Sequence, residues 1–554
     1  MSRRVALLMG AVLFGPISSV RAAADVPDAP IRGVRGEPVA RAIVRWSDMV
    51  RERTRAPTAP RTKRPEPPRR IPQDLPVPDW AQFRTELRAE TAAVAAVSLP
   101  PSPAPASSFE ALPNSPEVEP PDTNGAVGRN HLMVTLNSEV RIQNRSGDPL
   151  STVTLSAFWL RVSGGEPSDP RVLYDPYADR WVTTAFGNDY RSLLVGVSRT
   201  EDPTGSWNLY RIDPDPWRVD FPTVGFNKDW VVVTASLFTS TSPRQYGTRF
   251  WVFGKANLYG GGSGAFTSIS PEPGIWGFPA LTLDPAASGL YLVQIWNGNV
   301  DGNGILRLHK ITGSIGSEVL TPVAFVATPN PWSNVFPEAD LCPQMGDPRK
   351  ITCFGGIEAV YRNGTIWVVH EIWLPADAPT RNAIQWWQLA PDGVIVQRGR
   401  LDDPSVVRFY GFPSLAVNRS GDMLLGFSSF SENQFASASY ACRAAGDPPG
   451  TLREERVFKA GEDSYFRDLG HGNNRWGDYS ASTVDPINDT DFWTIQEYAA
   501  TRDPTNPTRG GASVASRWGT WWARVVPEPA PVERTPPQPP ARTRTPRALP
   551  PRGQ

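Results

Sequence analysis

Phe221–Phe238 reads FPTVGFNKDWVVVTASLF. A Phe-Pro step opens a short apolar strand, Asn227-Lys228-Asp229 turns the chain, and Trp230 to Phe238 forms a second strand. Asn and Asp accept tight-turn geometry, so the stretch reads as a β-hairpin. The second strand is apolar at nearly every position rather than at alternate ones, so both of its faces must be covered. A lone hairpin cannot do that.

The unit recurs. Phe278–Trp296 reads FPALTLDPAASGLYLVQIW and Phe412–Phe430 reads FPSLAVNRSGDMLLGFSSF. Asp169–Gly187 opens with Asp-Pro, Cys353–Trp373 carries Gly-Gly, and Arg475–Tyr498 and Pro120–Ile142 are more divergent copies. That makes seven units, with turns near Gly128, Asp175, Asn227, Asp284, Arg362, Asn418 and Asp485. Further strands follow: SLLVGVSRT, TRFWVFGKA, ILRLHKITG, AIQWWQLAP and WWARVV. Four strands in roughly sixty residues make a propeller blade. The expected fold is all-β, a seven-bladed β-propeller, with six or eight blades as the neighbouring alternatives. A β-helix would need a much shorter period.

The segments PPDTNGAVGRNH, DPRVLYDPYADRWV, RTEDPTGSWNLY and RWGDYSASTVDP resemble those of a group of secreted bacterial propeller proteins, distantly similar to the sialidase-like propellers. The resemblance covers nearly all of 111–526 and implies the fold and export. It implies no activity, because those proteins are mostly uncharacterised. The Ser-x-Asp-x-Gly-x-x-Trp turn box of sialidases is not intact, and no three-arginine clamp can be placed, so neuraminidase activity does not carry over.

The ends differ from the middle. Residues 1–24 hold Arg3 and Arg4, an apolar run from Val5 to about Ile17, and Ala22-Ala23-Ala24. This is the pattern of a secretory signal. Ala6 stands where a twin-arginine signal favours an aromatic, so the general secretory route is expected. Residues 25–110 and 527–554 are rich in Pro and Arg. They have too few apolar groups to offset ordering entropy and read as disordered spacers. Positive charge also suits them to an anionic surface such as lipopolysaccharide. Two short helices fit within the first of them, at Ile43, Trp46 and Val50 and at Trp80, Phe83 and Leu87. No later stretch reaches the roughly 18 apolar residues of a spanning helix. A secreted or periplasmic monomer is expected.

The chain has 554 residues, no formal net charge, 3 cysteines and 4 histidines. The cysteines and histidines are too scattered for a zinc centre. Cys342 and Cys353 bracket a short loop and should pair in an oxidising compartment, contributing roughly 3 kcal/mol. Cys442 is then a buried thiol or an intermolecular partner.

Propellers bind where loops converge at one end of the channel. Asp122, His131, Arg475, Asp478 and Tyr479 are the catalytic candidates, and Arg171, Trp276 and Glu358 the binding candidates. Two carboxylates suit glycoside hydrolysis, while a Tyr or His beside an Arg suits proton abstraction next to a uronate. RWGDYS also reads as structural: Gly477 for close approach, Trp476 for the seam, Asp478 for exposed backbone N–H groups. Asn297, Asn299 and Asp301 resemble the start of a calcium loop, but Leu308 stands where a closing Glu belongs, and the stretch reads better as an apolar-flanked hairpin turn. No phosphate loop or nucleophile elbow occurs. No other cofactor is called for, and export argues against nucleic acid. The expected ligand is a glycan or an envelope protein, with a polysaccharide hydrolase or lyase and a purely structural surface protein as alternatives.

Overall fold

The computed structural model describes residues 29–53, 99–114, 118–187, 190–239, 245–270, 277–333, 340–353, 355–467, 473–505, 508–509, 512–513, 515–527 and 553. The expected leader, the tail beyond 527, and the helix expected around Trp80 lie outside them.

Seven sheets, antiparallel save for a parallel pairing of Leu281–Thr282 with Ile357–Arg362, ring a central channel as the blades of a β-propeller. The inner strands are Asn124–Val127, Ser168–Asp175, Arg218–Phe226, Phe278–Pro279, Ile357–Arg362, Phe409–Val417 and Ala481–Val484. Each turns at the position expected from the repeat. The second strands, Trp230–Phe238 and Thr365–Leu374 among them, are buried almost throughout, because each lies between two neighbouring sheets. Tryptophan fills the seams: Trp159, Trp181, Trp251, Trp387, Trp493 and Trp522 are all enclosed.

The Phe-Pro and Asp-Pro steps have a backbone meaning. Asp122, Asp169, Phe221 and Phe412 take φ of 51°, 53°, 52° and 57°. Left-handed geometry is uncommon for residues with a Cβ. At Phe221 and Phe412 the ladder register slips between Asp220 and Thr223 and between Gly411 and Ser414. The step is therefore a bulge that re-aims the chain into the inner strand, and proline fits there because it has no N–H to leave unpaired.

Two parts of the segment expected to be disordered are ordered. Pro105–Pro113 pairs antiparallel with Arg517–Val525 and becomes the outermost strand of the seventh blade, which joins the two ends of the ring. Residues 31–53 run around the rim. Ile31–Arg32 adds a fifth strand to the fourth blade, Val34–Gly36 to the third and Ala40–Arg45 to the second. The helix Trp46–Arg53 then docks on the first blade. Trp46 packs its ring against Phe158 at 6.1 Å and donates from Nε1 to Ser151 Oγ at 2.8 Å. The composition is too poor to build a core, but open blade edges supply backbone partners and the seams take Val44, Trp46 and Met49. The expected helix forms only from Trp46. Ile43 lies in a strand opposite Asn208 and is exposed.

Cys342 and Cys353 form a disulfide with Cα atoms 6.1 Å apart, and Cys442 is a buried thiol that burial pushes up to about 12. No described helix is long and apolar enough to cross a membrane.

Candidate functional site

The inner strands enclose a channel cavity of about 310 Å³. Its walls are mostly apolar, with Arg171 and Glu358 where the strands begin and Tyr177, Arg362 and Asp489 where they turn.

The beginning end gathers most of the expected residues. Left-handed backbone sets Asp122 and Asp169 at the start of the first two inner strands, and Asp478 comes from the seventh blade, which ring closure makes their neighbour. One carboxylate oxygen from each lies within 4.8 Å of the others, and the residues are 0%, 0% and 1% exposed. Asn137, in the turn after the second strand of the first blade, braces two of them. It donates from Nδ2 to Asp122 Oδ2 at 2.6 Å and accepts at Oδ1 from the Asp169 N–H at 2.7 Å and from Ser168 Oγ. Arg475 donates from Nη2 to Asp478 Oδ1 at 2.6 Å. Trp476 is core, its Nε1 donating to Ser428 Oγ.

Tyr479 is enclosed beside the triad. Its hydroxyl donates to the Pro170 carbonyl at 3.0 Å, and the Arg171 guanidinium lies over its ring at 3.8 Å. Burial, then the charges of Asp122 and Asp169, hold its phenol well above the ordinary value. A phenol so held, with its proton engaged, is not poised as a base.

Arg171 reaches from Tyr479 to the cavity, where Nη1 stands 3.9 Å from Glu358 Oε1, looser than a hydrogen bond. Glu358 accepts from the Leu415 N–H at 3.0 Å. Its side chain keeps 22% of its surface open, but only toward the narrow channel, so protein surrounds it and burial pushes its carboxyl up to about 7. Glu371, on the second strand of that blade, accepts from Asn382 Nδ2 and the Phe412 N–H, and burial raises it to about 8. Neighbouring His370 is held neutral, down to about 3, by burial. Its Nε2 accepts from Trp387 Nε1 at 3.1 Å. Glu497, on the second strand of the seventh blade, accepts a long contact from Thr123 Oγ1 at 3.5 Å, and burial raises its carboxyl well above the ordinary range.

Not every candidate joins this group. His131 starts the second strand of the first blade, at the far end of that hairpin, and its Nε2 lies 4.0 Å from Asp202 Oδ1. Trp276 lies outside the described residues. Asn297, Asn299 and Asp301 form a hairpin turn instead of a cation loop. Asn297 Oδ1 accepts from the Asn299 N–H and Asn299 Oδ1 from the Gly302 N–H, while Asp301 takes φ of 49°. The Asn297 and Asn299 side-chain oxygens close the turn.

The opposite end carries charges that sequence reading treated only as turn formers. Lys255 Nζ lies 2.6 Å from Asp175 Oδ2, to which the Tyr259 hydroxyl also donates at 2.6 Å. Arg145 pairs with Asp485, and Arg362 with Asp489. Recurrence of Asp at the hairpin turns was the available signal.

No protein-family model matches the chain, and no curated protein matches it. Solved structures similar to it include a GH93 α-L-arabinofuranosidase of Fusarium graminearum, with 9% identity, 75% of this chain and 97% of that chain covered, and a TM-score of 0.36. A PL25 ulvan lyase is similar at 10% identity, 72% and 93% coverage and a TM-score of 0.35. A neuraminidase-like protein of A/flat-faced bat/Peru is similar at 12% identity, 49% and 72% coverage and a TM-score of 0.29. Likeness at this level says nothing about ligand or reaction.

Proposed function

We propose that the chain is an exported propeller that binds a glycan at the channel end where the inner strands begin. The supporting observation is Arg171. It is 5% exposed, it borders the cavity, and its Nε and Nη2 meet no hydrogen-bond acceptor. Buried donors left without acceptors are rare because each costs about 1–3 kcal/mol. A turn of the side chain toward the cavity would bring them to a ligand oxygen. Glu358, only loosely paired with Arg171, would accept a hydroxyl on the other side. Apolar walls suit the C–H face of a sugar ring, and the cavity is at the lower end of the roughly 300–1,000 Å³ usual for small-ligand sites. The disulfide agrees with an oxidising compartment.

Binding is favoured over catalysis for a physical reason. Glycoside hydrolysis needs two carboxyl groups facing one sugar. Glu358, raised to about 7, suits the acid, but the other carboxylates lining the cavity, Asp485 and Asp489, are paired with Arg145 and Arg362 at the opposite end.

A glycan array followed by calorimetry on the hits tests this. Binding should weaken at least ~10-fold in Glu358→Gln, the scale of one charge-assisted hydrogen bond. Silence on every glycan, with capture of an envelope protein instead, rejects the glycan reading. Release of reducing ends or unsaturated products from neutral or uronic polysaccharides, abolished in Glu358→Gln, would make the chain an enzyme.

A further inference from the structure

Three carboxylates, Asp122, Asp169 and Asp478, bring oxygens within 4.8 Å of one another while remaining 0–1% exposed. Like charges at this separation repel one another strongly in a medium of low polarity. Arg475 pairs with Asp478, and the Arg171 guanidinium lies over the Tyr479 ring and 3.9 Å from Glu358. Arg467 stands 3.8 Å from Glu119. No sugar hydroxyl can reach groups so enclosed, but a bare cation can occupy such a site.

Distance agrees with that. A calcium-sized ion binds oxygen at about 2.3–2.6 Å, so two of its ligands stand at most about 5 Å apart. The triad satisfies that limit for every pair. A second observation is independent of the cluster. Glu497 is 4% exposed, and its Oε1 meets no hydrogen-bond donor. Its Oε2 lies 3.3 Å from where a Cβ on Gly477 would stand and 3.5 Å from Thr123 Oγ1. The carboxyl group is thus wedged between the residues preceding Asp478 and following Asp122. A fourth carboxyl group enclosed at the edge of a buried acidic cluster, with an unmet oxygen, is what a cation would draw in.

We propose that Asp122, Asp169 and Asp478, flanked by Glu497, hold a hard divalent cation of the calcium class at the beginning end of the channel, tying the first, second and seventh blades together. The donors are all oxygen, with no imidazole or thiolate among the described groups, which selects calcium, magnesium or manganese over zinc or copper. Asn137 and Arg475 position the carboxylates. The site closes the ring at the junction of its first and last blades, so its occupancy should be felt as stability of the whole propeller.

The test is elemental analysis of the purified full chain, then melting after chelation and re-addition of calcium, magnesium or manganese. One ion per chain is expected. Chelation should lower the Tm by roughly 3 °C or more, the shift expected when ligand exceeds its Kd about 100-fold. Calcium should restore it, and sodium chloride of equal ionic strength should not. Asp122→Asn and Asp169→Asn, if folded by circular dichroism, should lose the ion, whereas Asp301→Ala in the blade-four hairpin should retain it. A wild-type chain that carries no ion and whose Tm ignores all three cations at about 10 mM overturns the proposal. So does full stoichiometry in folded Asp169→Asn. Should the variants fail to fold, the wild-type ion content and melting response decide alone. Because glycan binding is read on Glu358 and ion binding on the triad, one can fail without the other.

Discussion

At the scale of single residues, burial decides which groups act and which only hold. Tyr479 has the chemical type of a catalytic base, but its hydroxyl is committed to the Pro170 carbonyl and its ring to Arg171. Tyr479→Phe should therefore cost about 1 kcal/mol of stability in a denaturant titration, the net value of one hydrogen bond, and leave glycan affinity unchanged. A loss of binding with unchanged stability would return Tyr479 to the functional list. Glu371 makes the opposite kind of statement. Burial lifts it to about 8 from an ordinary 4.5, so the native fold holds its proton more tightly than the unfolded chain does. The stability this gives is complete below about pH 4.5 and is lost as pH rises toward 8, each tenfold gain in proton affinity being worth about 1.4 kcal/mol. Glu358, raised to about 7, adds in the same direction. Urea midpoints should fall between about pH 5 and 8, and Glu371→Gln should flatten that fall. Parallel profiles for wild type and variant would reject the assignment.

At the scale of elements, the blade hairpin was legible in sequence because its information is local. The turn at Asn227, the Phe-Pro step and the apolar run after Trp230 all lie within one unit, and repetition cancels noise. The rim strap was not legible. Ala40–Arg45 alternates weakly and is rich in arginine, and what orders it is the free edge of Ser206–Ile212, far away in the chain. Composition measures whether a segment can build its own core, not whether another element offers it backbone partners. Trp46 anchors the strap on the first blade, so Trp46→Ala should cost about 3–5 kcal/mol locally and expose the strap. Limited proteolysis should then cut between residues 29 and 53 faster than in the wild type, while the propeller core resists. Equal cleavage rates would show that the strand pairings alone hold the strap.

At the scale of the whole molecule, the ring explains both why the candidate site exists and why sequence showed only half of it. Asp122, Asp169 and Asp478 occupy related positions at the start of three inner strands, so the repeat already placed them on one circle. What the repeat could not supply was the seam: the first and seventh units are distant in sequence and adjacent only because the ring closes. Closure depends on Pro105–Pro113, whose strand caps Arg517–Val525 and whose Phe109 packs on Trp493 at 6.1 Å. Thr520 Oγ1 accepts from the Leu112 N–H and donates to its carbonyl, which fixes the register. Without that strand the seventh blade ends on an open edge rich in tryptophan, a template for aggregation. A chain beginning at residue 99 keeps the closing strand and lacks the strap; it should melt in one cooperative transition, below the wild type. A chain beginning at residue 118 lacks both. It should melt broadly or aggregate on size exclusion, and a peptide of residues 99–117 added in trans should restore part of the cooperative transition. If the two chains melt alike, the closing strand is a covering and not a clasp, and the seam between first and seventh blades must be held by the triad and the packing around Trp522 alone.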